Sequence, residues 1–251
     1  MNERFNEQQK EVLHFLKLLD DNNVLDHVIV TGSWAEYVYA QGGVLPGYNL
    51  TLRTIDMDFL VKNMRKPAEP VSIPMIAKSN GYSISHDLLL DTTKIFSPGG
   101  LEIEFLISQM GQGDTDILKT NLGVNAQALR HMEGLVRHTL TVDLLGLKVQ
   151  VPCPEMYVLH KIIINPDRKP EKQEKDRHSV TRLLPYISFD KLNLLYDELT
   201  KKEKKRVREF FENYKEEVCG ELRIDMQIKM AEFLAIVRLE PKRSQGPDLS
   251  L

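Results

Sequence analysis

The sequence predicts an α+β fold in which a mixed sheet is followed by a helical domain. Short apolar runs bounded by glycine or proline alternate with helical patterns in the first part of the chain, whereas only helical periodicity follows Pro152 and Pro154. Such a change of pattern is typical of an α/β unit joined to a helical unit. We therefore predict an α/β domain over 1–151, a helical domain over 152–240 and a flexible tail over 241–251.

Apolar spacing defines the elements of the predicted first domain. Gly42 and Pro46 interrupt the chain ahead of the strand that contains Asp56. The predicted elements are a helix over 7–20, a strand over 28–31, a helix running to Tyr39, the Asp56 strand, a strand pair at 94–96 and 101–107, and a second pair at 135–142 and 147–151.

The second domain is predicted from helical periodicity alone. Thr200 and Glu203 have the spacing of a capping box, which predicts a helix that begins at residue 201. The predicted helices cover residues 155–164, 172–184, 189–199, 201–218 and 221–238.

Composition limits the class of protein. The chain has 251 residues, of which 42% are hydrophobic and 27% are charged, with a net charge of -3. This balance is typical of a soluble protein and argues against coating of nucleic acid by bulk positive charge. Cys153 and Cys219 are too far apart for a disulfide framework or a cysteine-based zinc site. No apolar run approaches the roughly 20 residues that cross a bilayer, so we expect a cytoplasmic protein with no membrane partner.

Two aspartates, Asp56 and Asp58, are the most informative residues. On a strand they point to one face, while Ile55, Met57 and Phe59 point to the other. Carboxylates this close repel each other, and burying them without a counter-charge is costly. A cation with a preference for hard oxygen ligands resolves this conflict, and Mg²⁺ is the natural candidate.

A third acid is predicted on the later strand. Glu102 and Glu104 share one face, with Ile103 and Phe105 on the other. A two-metal site needs about three carboxylates, and Glu104 is the better candidate because apolar residues flank it closely. The alternative is a solvated edge strand, on which acids prevent aggregation.

Potential phosphate-binding groups lie on both sides of these acids. Gly32 and Ser33 follow a strand and open a helix, an arrangement that suits phosphate, although a plain turn has the same residues. Lys161 is a candidate point-charge partner for phosphate, and Asp176 is a candidate either for orienting Lys161 or for assisting the acceptor. The alternative for this region is an exposed helix face with surface ion pairs.

The order of these motifs resembles the nucleotidyltransferase superfamily of polymerase-β type. The run from Arg53-Thr54 to Asp58 is similar to the Arg-(Ser/Thr)-x-Asp-h-Asp form, with h apolar, of its AbiEii-like, abortive-infection branch. A second segment also resembles this branch, and it comprises Pro154-Glu155, His160-Lys161, Arg168 and Lys175-Asp176. Together the resembling motifs cover residues 28–184, about two-thirds of the chain.

The resemblance implies a Mg²⁺-dependent enzyme that moves a nucleoside monophosphate from a triphosphate such as ATP to an acceptor hydroxyl. It implies two Mg²⁺ ions, with Mn²⁺ as an alternative, and an acceptor that is RNA, a protein or a small molecule, in a toxin–antitoxin-like setting. The metal would be held by Asp56, Asp58 and Glu104, which are also catalytic together with Lys161. The nucleotide would be bound by Gly32, Ser33, Arg53, Lys161, Arg168, Lys175 and Asp176.

One departure from the motif is the separation of its first two parts. Residues 34–55 lie between Ser33 and Asp56, and we expect an insertion around 42–49 to absorb this length. The insertion motivates a second hypothesis, a catalytically silent nucleotide-binding or regulatory module of the same fold. A third hypothesis is an interaction protein in which the first domain supports the helices over 189–238.

Overall fold

A mixed seven-stranded sheet organises the first part of the chain. The computed structural model describes residues 3–50, 54–62, 71–109, 117–220 and 222–238. The strands of the sheet are β1 (Val28–Thr31), β2 (Asp56–Val61), β3 (Ser83–His86), β4 (Thr93–Phe96), β5 (Glu102–Ser108), β6 (Ile117–Lys119) and β7 (Asn125–Leu129). A separate antiparallel hairpin follows, consisting of β8 (Thr139–Leu144) and β9 (Leu147–Pro152).

Strand β5 lies in the interior of this sheet. The order is β1-β2-β5-β4-β3, and β7 pairs with the carboxyl end of β5 and with β6. The β2–β5 and β5–β7 pairs are parallel, and the other pairs are antiparallel. The interpretation of Glu102 and Glu104 as acids of a solvated edge strand is therefore wrong, because β5 is paired along both of its sides.

Helices occur between the strands, and after β9 the described part of the chain contains helices but no strand. The helices are α1 (Glu3–Asp21), α2 (Gly32–Gln41), α3 (Ile73–Ser79), α4 (Glu133–Arg137), α5 (Pro154–Ile164), α6 (Pro170–Leu183), α7 (Phe189–Glu198), α8 (Lys201–Cys219) and α9 (Ile224–Arg238). The predicted α+β class with a mixed sheet and a helical carboxyl-terminal part is confirmed. So is the capping box, in which Thr200 and Glu203 each accept a hydrogen bond from the other's backbone N–H.

The chain divides into two units, Met1–His160 and Lys161–Leu251, and the division falls within α5. In the first unit, α1 packs on the apolar face of the sheet. The ring centroid of Phe15 on α1 lies 5.7 Å from that of Phe59, which stacks on Phe105 at 6.0 Å. Burial of these rings stabilises the sheet and leaves its other face for polar residues.

Several elements differ from the prediction. Leu135 belongs to α4, so the first strand of the β8–β9 hairpin begins later than expected. Strands β3, β6 and β7 were not expected, since they are short and their burial is incomplete. The predicted tail over 241–251 lies outside the described residues. In the described ranges, no helix has the length and apolar character that crossing a membrane requires.

Tyr82 provides a pH-dependent test of the α1 packing. Its hydroxyl lies 2.9 Å from His14 Nδ1, and burial, followed by the charge of Glu11, raises the pKa of Tyr82 to about 12. The folded state therefore favours the neutral phenol, and this contribution to stability is lost as the pH rises from about 10 towards 12. We expect Tyr82→Phe to lower the free energy of unfolding by about 1 kcal/mol near neutral pH. The difference from the wild type should shrink above about pH 10. Urea denaturation near neutral pH and above about pH 10 measures the stability difference between Tyr82→Phe and the wild type. A difference that does not change with pH would contradict the raised pKa of Tyr82.

Candidate functional site

The register between β2 and β5 places the predicted acids side by side. Asp56 pairs with Glu102, and Asp58 pairs with Glu104. Partners in a parallel pair point to the same face, so these carboxylates share one surface, while Met57 and Ile103 are fully buried on the other. The Asp56 N–H lies 3.3 Å from Thr54 Oγ1, which accepts its hydrogen bond where β2 begins. Arg53 of the same motif lies outside the described residues.

A lysine that the sequence interpretation missed lies among these acids. Lys94 on β4 pairs with Glu104 in antiparallel register, and its Nζ lies 2.6 Å from Glu102 Oε1 and 2.6 Å from Glu104 Oε1. The hydrogen bond to Glu102 and then that to Glu104 raise the pKa of Lys94. We call Asp56, Asp58, Lys94, Glu102 and Glu104 the acidic face. Four carboxylates and one ammonium make it negative overall.

Gly32 lies directly against this face, despite the long separation from Asp56 in sequence. Thr31 pairs with Asp58 in the antiparallel β1–β2 ladder, and Gly32 follows with φ +62°. A Cβ at Gly32 would lie 2.4 Å from Asp58 Oδ2, so any larger residue would require the Asp58 carboxylate to rotate away, and the positive φ also favours glycine. Of the intervening residues, those up to Gln41 belong to α2, and turns and bends follow over 42–47. The insertion therefore leaves Gly32 beside Asp58.

The start of α2 faces the same region. Ser33 is exposed, and the N-cap residue Thr31 makes no side-chain hydrogen bond to the helix. The first N–H groups of a helix lack intrahelical acceptors and carry the positive end of its dipole. Next to Asp58, these groups combine anion-binding capacity with a carboxylate that can bind a cation.

A buried polar cluster contacts the backbone of Gly32, where α2 begins. Glu36 on α2 is 2% exposed, and its Oε2 accepts a hydrogen bond of 2.5 Å from the Tyr48 hydroxyl. The Tyr157 hydroxyl donates to the Gly32 carbonyl at 2.8 Å and lies 3.3 Å from Glu36 Oε1. The sequence interpretation did not assign these three residues. The available signal was an acid inside the otherwise apolar helix α2, where a buried charge requires partners.

The remaining candidates belong to the second unit. Lys161 Nζ donates to Asp176 Oδ1 at 2.8 Å, and Arg168 Nε lies 3.4 Å from Asp176 Oδ2. The Asp176 side chain is only 1% exposed, so it fixes two cations on one buried carboxylate. Lys175 is exposed on α6. The ion pair places the Lys161 ammonium on the Asp176 carboxylate.

The acidic face suits Mg²⁺ by its chemistry and by the shared direction of its carboxylates. Aspartate and glutamate oxygens are the hard ligands that Mg²⁺ prefers, and Asp56 and Asp58 point the same way as Glu104. Across the described parts of the chain, however, no three acid, histidine or cysteine side chains are gathered as a ready ligand group. Glu104 is instead engaged by Lys94. A metal would therefore recruit Glu104 from this ion pair.

Comparison with known proteins assigns the family. Residues 10–203 match a family model described as Nucleotidyltransferase. This chain belongs to that nucleotidyltransferase family. Among solved structures it is similar to an antigenic nucleotidyltransferase-like protein from Paracoccidioides brasiliensis, at 12% identity and a TM-score of 0.49, covering 90% of this chain and 93% of that one. A comparison with curated proteins gives no match.

Substitution of Gly32 tests its contact with the acidic face. Gly43 is a matched control, because it also has a positive φ, +69°, but a Cβ added there would meet no atom within 4 Å. Gly43→Ala should cost about 1 kcal/mol of folding stability from its backbone conformation alone. Gly32→Ala should cost up to about 1 kcal/mol more, since its Cβ forces the Asp58 carboxylate to rotate away. Denaturant unfolding measures both, and a smaller loss in Gly32→Ala than in Gly43→Ala would contradict the close approach.

Proposed function

We propose that this member of the nucleotidyltransferase family transfers a nucleoside monophosphate from a nucleoside triphosphate to an acceptor hydroxyl and releases pyrophosphate. Family membership supports the reaction class. The observation that carries the proposal is the close approach of Gly32 to Asp58, because it brings a turn that suits phosphate next to a carboxylate of the acidic face. Transfer of this kind depends on positioning and neutralising charge, which such an arrangement supplies.

Separate residues are proposed to bind the metal and the phosphates. Asp56 and Asp58 would hold Mg²⁺, and Glu104 would complete the site. When bound, Mg²⁺ would neutralise the triphosphate and favour ionisation of the acceptor hydroxyl. Gly32, Ser33 and the start of α2 would bind phosphate oxygens through N–H and O–H groups.

In the transfer itself, the acceptor oxygen forms a bond to the α-phosphorus, and the bond from that phosphorus to the bridging oxygen breaks. Glu104 is proposed to take the acceptor's proton, and pyrophosphate leaves with the bridging oxygen. The order of the sequence motifs supports a role for Lys161 and Arg168 in neutralising the nucleotide phosphates. Within the second unit, Asp176 holds the Lys161 ammonium.

The finer assignments rest on the order of the sequence motifs. Arg53-Thr54 before Asp56, and Lys175-Asp176 after Lys161, support placement in the polymerase-β type and its AbiEii-like branch. That placement favours two Mg²⁺ ions, with Mn²⁺ as an alternative, and an RNA, protein or small-molecule acceptor. A cytoplasmic location is also proposed, since Cys153 and Cys219 are present as thiols rather than as a disulfide, which a reducing compartment favours.

A second candidate function is a silent nucleotide-binding module. The observation that favours it is the Lys94 ammonium, which already neutralises Glu104, while the described residues hold no gathered ligand set. Such a module would bind a nucleotide at the α2 turn without releasing pyrophosphate. An assay of label transfer from a nucleoside triphosphate to an acceptor separates this module from the enzyme.

Isosteric substitution of the aspartates tests the enzyme. The protein is incubated with each α-labelled nucleoside triphosphate, Mg²⁺ and total cellular RNA or protein. We expect label transfer by the wild type and a loss of roughly 100-fold or more in Asp56→Asn and Asp58→Asn, since each removes a negative ligand oxygen. Asp143→Asn is the matched control, because Asp143 is an exposed aspartate on the separate hairpin. Nucleotide binding without transfer by the wild type would favour the silent module.

Removal of the Tyr157 hydroxyl tests the support of the phosphate-binding turn. Tyr39→Phe is the control, because the Tyr39 hydroxyl also donates to a backbone carbonyl, that of Pro152 at 2.7 Å. Each variant should lose about 1 kcal/mol of stability with its hydrogen bond. Only Tyr157→Phe should raise the KM for the nucleoside triphosphate, by roughly threefold to tenfold, since a small misplacement of binding groups is costly. Equal KM values in the two variants would contradict this role.

A further inference from the structure

Lys94 is the cation of the acidic face, and its position is set by the sheet. Antiparallel pairing of β4 with β5 places it opposite Glu104, and the side chain reaches Glu102 as well. The side chains of Lys94, Glu102 and Glu104 are 26%, 25% and 34% exposed. These pairs are therefore less screened than those between fully exposed groups.

The charge pattern explains why a lysine is needed here. Four neighbouring carboxylates repel one another, and a single ammonium that contacts two of them relieves much of that repulsion. A divalent cation held by Asp56 and Asp58 would relieve it too. Since Glu104 is the register partner of Asp58, the metal and the ammonium draw on the same carboxylate.

We propose that Lys94 is an internal counter-ion that competes with the divalent metal for Glu104 and keeps Glu102 when the metal binds. This inference rests on the proposed function, because it concerns the metal site of that reaction. It assigns different roles to the two glutamates. Glu104 exchanges between the ammonium and the metal, whereas Glu102 anchors Lys94 through the 2.6 Å contact and prevents it from following Glu104. Lys94 is a positioning residue, since it acts through Glu104.

Direct metal binding tests the proposal without reference to catalysis. Mn²⁺ is titrated into the 251-residue chain in the absence of nucleotide, and free Mn²⁺ is measured by electron paramagnetic resonance. Lys94→Met should tighten Mn²⁺ binding by roughly fivefold, because it removes the competing charge. Glu102→Gln should weaken Mn²⁺ binding by a few-fold, since Lys94 would then form its ion pair with Glu104 alone.

Lys148→Met is the matched control. Lys148 also forms an ion pair, with Nζ 2.7 Å from Asp143 Oδ2, but it lies on the β8–β9 hairpin and not on the acidic face. Its Mn²⁺ affinity should equal that of the wild type. Glu104→Gln should bind Mn²⁺ more weakly than the wild type and should no longer respond to Lys94→Met in the double variant.

Thermal unfolding provides a second measurement, which also shows whether the Lys94 variants fold. Lys94→Met should have a lower Tm than the wild type in EDTA, and Mn²⁺ should raise its Tm more than it raises that of the wild type. If Lys94→Met does not fold in EDTA, Lys94→Gln, which keeps a polar side chain, is titrated in its place.

The outcomes separate this inference from the proposed function. Equal or weaker Mn²⁺ binding in the folded Lys94 variant, with binding by the wild type intact, would overturn the role of Lys94 alone. Absence of Mn²⁺ binding in both proteins would overturn the metal-dependent function and the role of Lys94 together. Tighter binding in Lys94→Met and weaker binding in Glu102→Gln would establish the competition.

Discussion

Parallel pairing of β2 with β5 is the constraint on which the candidate site depends. It aligns Asp56 with Glu102 and Asp58 with Glu104, and it sends Met57 and Ile103 to the apolar side. The same pairing therefore builds the core and the acidic face in one step. Neither strand could shift by one residue without burying carboxylates and exposing the apolar side chains that pack beneath α1.

Around this pair, the neighbouring strands supply the groups that make the charge tolerable. β1 brings Gly32 and the start of α2 to Asp58, and β4 brings Lys94 to the two glutamates. One neighbour contributes backbone N–H groups, and the other contributes a full positive charge. The Glu36–Tyr48–Tyr157 cluster holds the first of these in place through the Gly32 carbonyl.

Local patterns in the sequence are sufficient to predict β1, β2, β4, β5 and the acids, because alternation or an apolar run is visible within a few residues, whereas the short strands β3, β6 and β7 escape them. Asp56, Asp58, Glu102 and Glu104 are recognised in this way. The role of Lys94 is not, since its contacts depend on the register of β4 against β5, which no local pattern encodes. The approach of Gly32 to Asp58 likewise depends on pairing across residues 34–55. Tyr48 and Tyr157 escape such patterns because the acid that they contact is separated from them in sequence.

The interior position of β5 has a dynamic consequence. Its backbone is hydrogen-bonded to β2 on one side and to β4 and β7 on the other, so Glu102 and Glu104 are carried by a segment that opens only with much of the sheet. Fraying at the sheet's margins leaves their backbone in place. Adjustment of these two glutamates to a ligand then comes from rotation of their side chains, a motion on the nanosecond scale, rather than from the slower rearrangement of strands.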